Sequence, residues 1–172
     1  MILTREDIVL RPFRPDDRER LHILADNPAV IRFMTDEFPH PYPLEEADRW
    51  IALTMAEKRR CNFGVEWNGE LIGGIGLTPM ADMHSGTTNM GYWLGEPYWG
   101  RGLAVKAVAA LLPYAFDELL FIRVQALVLD ANHRSMRVLE KSGFTKESIM
   151  RKHVRKHGIV SDAALFAKLR NE

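Results

Sequence analysis

The chain has 172 residues, 47% hydrophobic and 27% charged, with 23 Lys and Arg balanced by 23 Asp and Glu. That composition predicts one globular domain over residues 1–172, and zero net charge argues against a dedicated nucleic-acid binder. No apolar run approaches a membrane span and the N-terminus lacks a signal-peptide core, which predicts a cytoplasmic protein with no membrane partner; the lone Cys61 excludes a disulfide framework and a Cys-rich zinc site.

Residues 8–13, IVLRPF, read as a first strand, and Pro15-Asp16-Asp17 as a helix start continuing through Leu21, Leu24 and Ala25 to Asn27-Pro28. Three prolines between Asp36 and Pro43 predict a loop. A helix opens at Leu44-Glu45-Glu46 and runs through Trp50, Leu53 and Met55 to Lys58-Arg59-Arg60, acids first and bases last, as the helix dipole favours. Strands follow at Asn62–Trp67 and Leu71–Thr78, joined by Asn68-Gly69, a strong hairpin signal. Gly73, Gly74 and Gly76 lie inside the second strand without a helix after them. Close backbone packing or a bulge explains them better than a dinucleotide fingerprint.

The stretch from Thr87 to Asp117 organises the rest. Met90, Tyr92, Trp93 and Leu94 read as a strand, Gly95, Pro97, Gly100 and Gly102 as a turn, and the apolar spacing from Leu103 as a helix. Pro113 should kink or break that helix. A helix that begins on glycines directs unpaired N–H groups and partial positive charge outward, which makes an anion site. Arg101 and Lys106 add formal charge nearby. Residues 87–172 carry 13 Lys and Arg against 8 Asp and Glu, whereas residues 1–86 carry 10 against 15. The half with the glycine turn is the basic one.

A further strand, Val124 to Leu129, leads to a helix beginning near Asn132. Residues 145–156 and 159–169 then form a final hairpin around His157-Gly158. The fold class is α+β, a mixed and mostly antiparallel sheet flanked by helices, with one parallel pair between strands 88–94 and 122–129. The basic run Arg151 to His157 lacks interleaved aromatics and reads as a charged strand face. His153 and His157 lack a third ligand, so no metal site is expected.

Two blocks, GYWLGEPYWGRGLAVKA at 91–107 and DANHRSMRVLEKSGF at 130–144, together resemble the GCN5-related N-acetyltransferase superfamily, in its ribosomal-protein N-terminal acetyltransferase branch. The resemblance implies transfer of an acetyl group from acetyl-CoA to a primary amine, either a protein or peptide N-terminus or a small molecule. It implies that the parallel pair splays to admit the cofactor's pantetheine arm. Gly100, Arg101, Gly102, Leu103 and Ala104 would cradle the pyrophosphate, and the backbone at Trp93 and Leu94 would pair with the pantetheine amides. Asn132 would hold that arm, Lys141 would approach a phosphate, and Ser135 would donate a hydrogen bond to the departing sulfur. Asn132 also fits a helix N-cap, and Ser135 and Lys141 also fit ordinary helix positions. Relatives are often dimers, so a homodimer stays open.

Two positions depart from the family pattern. Trp99 stands where Gln or Arg often opens the glycine motif. Asn89 stands where many relatives carry a glutamate able to act as base. A base, if required, would come from His84, Glu66, Glu37 or His40. His84 is nearest along the chain, and histidine is the side chain that exchanges protons near neutral pH. The rival expectation is a catalytically idle acyl-CoA-binding domain, motivated by Asn89.

Overall fold

The computed structural model describes all residues, Met1–Glu172. Two compact units divide it: Met1–Gly76 with Tyr92–Leu111, and Leu77–Gly91 with Leu112–Glu172.

In the first unit, β1 (Leu3–Arg5) and β2 (Ile8–Arg11) form a hairpin that pairs Leu3 with Leu10. The sequence pattern marks β2 alone, because the three residues of β1, none of them buried, give no readable alternation. β2 pairs antiparallel with β3 (Asn62–Trp67), which pairs antiparallel with β4 (Glu70–Pro79). Asn68 and Gly69 turn that hairpin with φ of 51° and 80°, the positive pair an Asn-Gly turn uses. A side chain at Gly73 would run into the Trp93 carbonyl oxygen and stand 2.8 Å from Leu94 Cα, so close backbone packing is what glycine serves there.

Helix α1 (Arg18–Ala25) follows a short 3-10 turn at Pro15–Asp17, and α2 (Pro28–Ile31) is a single turn begun by Asn27. Helix α3 (Leu44–Met55) stops earlier than expected. Arg60 returns instead to donate to the Thr54 carbonyl, while Glu57 accepts from the backbone N–H groups of Cys61 and Asn62. Arg60 therefore serves the helix end from outside it. Phe13, Leu21, Ala25, Tyr42, Ala47, Ile51 and Leu71 form the core, with Phe38, Trp50 and Trp93 packed against it. Each fully buried large apolar side chain contributes about 1.5–3 kcal/mol.

One buried charge cluster ties this unit together. Arg11, 3% exposed, donates two hydrogen bonds to Asp17 (2.7 and 2.8 Å) and one to Glu66. Burial opposes the Arg11 charge, but the bonds it donates to Asp17 and Glu66 outweigh it and raise its pKa above the ordinary value.

In the second unit the strand order is β5-β6-β8-β7. β5 (Thr87–Leu94) pairs parallel with β6 (Arg123–Leu129) through Thr87–Asn89 opposite Arg123–Gln125. β6 pairs antiparallel with β8 (Ile159–Leu169), which pairs antiparallel with the outer strand β7 (Thr145–Lys156). Val124, Ala126 and Val128 alternate into the core against Phe166 and Ala164. Arg151, Lys152 and Arg155 are exposed on β7, a charged edge that discourages strand addition. Helix α4 (Leu103–Pro113), which belongs to the first unit as far as Leu111, gives way to a π-helical turn at Tyr114–Glu118, so Pro113 does end the α-helical spacing. Helix α5 (His133–Lys141) lies between β6 and β7.

Candidate active site

Leu94 is buried at the end of β5, and Gly95 N–H donates to the Ile72 carbonyl at 2.9 Å, fixing where the chain leaves the sheet. A 3-10 turn at Glu96–Tyr98 follows. The Trp99 indole N–H then donates back to the Leu94 carbonyl at 2.7 Å, closing the loop on the strand it came from. Gly100 and Gly102 have φ of 75° and 76°, and a Cβ at either would meet no atom within 4 Å. Glycine is needed there for conformation, and its bareness leaves the main chain open to a ligand.

Leu103 is buried and anchors the first turn of α4. The first bond along the helix is Lys106 N–H to the Gly102 carbonyl, at 3.2 Å. The N–H groups of Leu103, Ala104 and Val105 precede it and have no intrahelical acceptor. Lys106 does not add free charge to this loop, contrary to the sequence expectation. Its ammonium pairs with Glu6 at 2.8 Å and Asp7 at 2.7 Å. Arg101 is exposed, its guanidinium 5.7 Å from the Trp67 ring centroid. An anion here would be held chiefly by main-chain N–H groups and the helix dipole.

In the second unit, Asn132 caps α5, its side-chain oxygen accepting from Ser135 N–H at 3.2 Å. One lone pair of that oxygen serves the cap, and the NH2 stays a donor for a ligand. Ser135 is half-buried in the first turn of α5, and Lys141 is exposed in its last. His84 is exposed in a 3-10 turn at Asp82–His84. Asn89 accepts from the Gln125 amide at 3.0 Å, its neighbour in the parallel ladder. An amide so placed cannot take a proton from an amine.

A family model described as "Acetyltransferase (GNAT) domain" matches residues 7–145. The chain belongs to the GNAT acetyltransferase family. The "Uncharacterized N-acetyltransferase YoaA" of Bacillus subtilis is 29% identical over 171 residues, covering 96% of this chain and 95% of that protein. A crystal structure of a GNAT-family acetyltransferase from Bacillus anthracis is 25% identical, with a TM-score of 0.89 over the whole of both chains. RimL, described as a ribosomal L7/L12 alpha-N-protein acetyltransferase in complex with coenzyme A, shares the fold: 20% identity and a TM-score of 0.86 over 98% of each chain.

Other candidate bases of this acetyltransferase are committed elsewhere or lie at its surface. Glu66 is bound to Arg11, His40 lies 3.4 Å from Asp26, and Glu37 is exposed. Burial pushes the Cys61 thiol above its ordinary value, which suits a packing residue and not a nucleophile. No group of three or more His, Cys, Asp or Glu is placed to hold a metal ion. No helix is long and apolar enough to cross a membrane. Sequence reasoning gave Trp99 no part beyond replacing a polar residue. Its pairing with Leu94, five residues back, was within local reach, since an indole N–H near a turn needs an acceptor. The pairing of Lys106 with Glu6 and Asp7 was not.

Proposed function

We propose that this GNAT protein is an acetyl-CoA-dependent N-acetyltransferase acting as one domain over residues 1–172 in the cytoplasm. It transfers the acetyl group directly from the thioester to a primary amine, the N-terminus of a protein or peptide or a small amine. The observation that carries the reading is the opening of α4, where two left-handed glycines with open space beside them precede N–H groups that have no intrahelical acceptor. In a family whose members are acetyltransferases, that is a seat for the diphosphate of coenzyme A.

In this proposal the backbone of Gly100, Arg101, Gly102, Leu103 and Ala104 binds the diphosphate, and that of Trp93 and Leu94 pairs with the pantetheine amides. A strand N–H polarises the thioester carbonyl. The Asn132 amide donates to the pantetheine arm, and Lys141 approaches a phosphate. The amine lone pair attacks the carbonyl carbon and a C–N bond forms. The C–S bond then breaks, the nitrogen gives up one proton, and the sulfur takes one. Ser135 donates a hydrogen bond to the departing sulfur, and His84 is the side chain proposed to receive the proton from nitrogen. An α-amine has a pKa of about 8, so about a tenth is already neutral at pH 7. Positioning therefore supplies much of what the base does not.

Thiol release from acetyl-CoA across a panel of amines and N-terminal peptides tests the proposal. Amine-dependent release, reduced in Ser135→Ala, is expected. Tight acetyl-CoA binding with no release on any amine would instead identify the idle acyl-CoA-binding domain that Asn89 suggests.

A further inference from the structure

The basic run on β7 takes no part in the reaction proposed above. Met150 pairs with Ala163 and Val154 with Ser161, so Arg151, Lys152 and His153 stand opposite the single residue Asp162. Lys152 holds a left-handed φ of 52°, a conformation disfavoured for any residue with a side chain. Its N–H donates to the Asp162 carboxylate at 2.7 Å, and the Asp162 carbonyl accepts from Asp130 N–H at 3.1 Å. A regular ladder would need neither the strain nor the brace. Such a bulge bends its strand and re-aims side chains, and backbone outliers of this kind collect at ligand contacts.

The bulge presents positive charge. From Ser148 to Ser161 there is no Asp or Glu, and Arg151, Lys152, His153 and Arg155 are exposed. Elsewhere Arg20, Lys106 and Arg123 close on carboxylates, whereas the side chains of Arg151, Lys152 and Arg155 form no ion pair. Aliphatic surface is interleaved with them. Ile159 is 70% exposed and Val160 45%, and Val160 stands directly across from Arg155, so those two side chains share a face. Protection of a strand edge accounts for the charges, but not for bare aliphatics at the same tip. We infer that the β7–β8 hairpin is a docking surface for a polypeptide segment carrying Asp or Glu beside aliphatic side chains. Its carboxylates meet the guanidinium and ammonium groups, and its aliphatics cover Ile159 and Val160. A nucleic acid would satisfy the charges alone, because no Phe, Tyr or Trp lies between Thr145 and Ser161 for a base to stack on. The surface lies wholly within the second unit and uses none of the residues proposed to bind acetyl-CoA.

Fluorescence anisotropy of the full chain with a labelled peptide of Glu-Glu-Leu repeats, blocked at its N-terminus, tests the assignment without acetyl-CoA. Saturable binding that weakens with added salt is expected, and an all-Glu peptide with as many carboxylates should bind more weakly. Arg155→Glu should weaken binding by about fivefold or more, the reach of one exposed ion pair. Lys152→Gly keeps the left-handed backbone without strain, so it should melt no earlier than wild type yet bind about two- to fivefold less tightly. Lys58→Glu, the same charge reversal at an exposed residue of the first unit, should leave affinity within about twofold of wild type. Absence of saturable binding, equal affinity for the all-Glu peptide, or as large a loss from Lys58→Glu as from Arg155→Glu overturns the assignment. Tighter binding to a single-stranded RNA or to phosphatidylserine vesicles also overturns it, and gives the surface to a nucleic acid or a membrane instead. The blocked peptide offers no amine, so the result is independent of whether the chain transfers acetyl groups.

Discussion

Replacing Gly102 with alanine separates folding from binding at the opening of α4. An added methyl would touch no protein atom within 4 Å, so no packing is disturbed. Its φ of 76° carries the penalty of a left-handed L-residue, about 1–2 kcal/mol. For a chain of this size that lowers Tm by about 2–8 °C. The methyl would also project into the open space beside the unpaired N–H groups. Displacing a phosphate oxygen from one of them forfeits a hydrogen bond to a charged group, about 1.5–3 kcal/mol or about 10- to 150-fold in Kd. Gly158 is the matched control, with φ of 81°, no atom within 4 Å of an added Cβ, and a place in the β7–β8 turn. Gly158→Ala should lose similar stability without loss of affinity. Thermal melts and acetyl-CoA calorimetry on both variants decide the matter. A Gly102→Ala protein that melts early but binds acetyl-CoA within twofold of wild type would refute the reasoning.

Arg11→Met should cost about 3–5 kcal/mol in urea unfolding, because Asp17 and Glu66 lose their shared partner, and adding Asp17→Asn and Glu66→Gln should restore much of it. Asn132→Ala should cost about 1 kcal/mol by removing the α5 cap, whereas Asn132→Asp should keep that stability yet weaken acetyl-CoA binding by losing the amide donor. His84→Ala should lower kcat/KM at pH 7 and lose less at pH 9, where the amine is neutral unaided; a loss that does not shrink with pH removes His84 as the base. Hydrogen bonds from Lys106 and Trp67 hold the Asp7 carboxyl below the ordinary carboxylate range. A group so depressed stabilises the fold above its unfolded pKa and loses that contribution as pH falls through the folded one, below about pH 4. Asp7→Asn should flatten that part of the acid-unfolding curve.

The elements legible in the sequence were those with local causes. Asn68-Gly69 turned its hairpin and Asn132 began its helix as their chemistry dictates. The alternation at 124–128 placed β6, and the helices between strands foretold the parallel β5–β6 pair. The rest depended on partners distant in the chain. β1 is only three residues and is defined by pairing with β2. Lys106 reads as free cationic charge until Glu6 and Asp7, 99 and more residues earlier, are brought against it. In the candidate site, glycine spacing located the left-handed turn at Gly100 and Gly102 that opens α4. It did not show that the Trp93 ring meets Phe38 edge-on, a contact that depends on side-chain direction, which periodicity does not encode.

The central claim is that main-chain N–H groups at the start of α4 grip the diphosphate of coenzyme A. Amide NMR on labelled protein tests it most directly. Titration with coenzyme A should shift the Arg101, Gly102, Leu103 and Ala104 resonances saturably, and pantetheine, which lacks the diphosphate, should leave them unmoved. Saturable binding of coenzyme A that leaves those four amides in place would contradict the account.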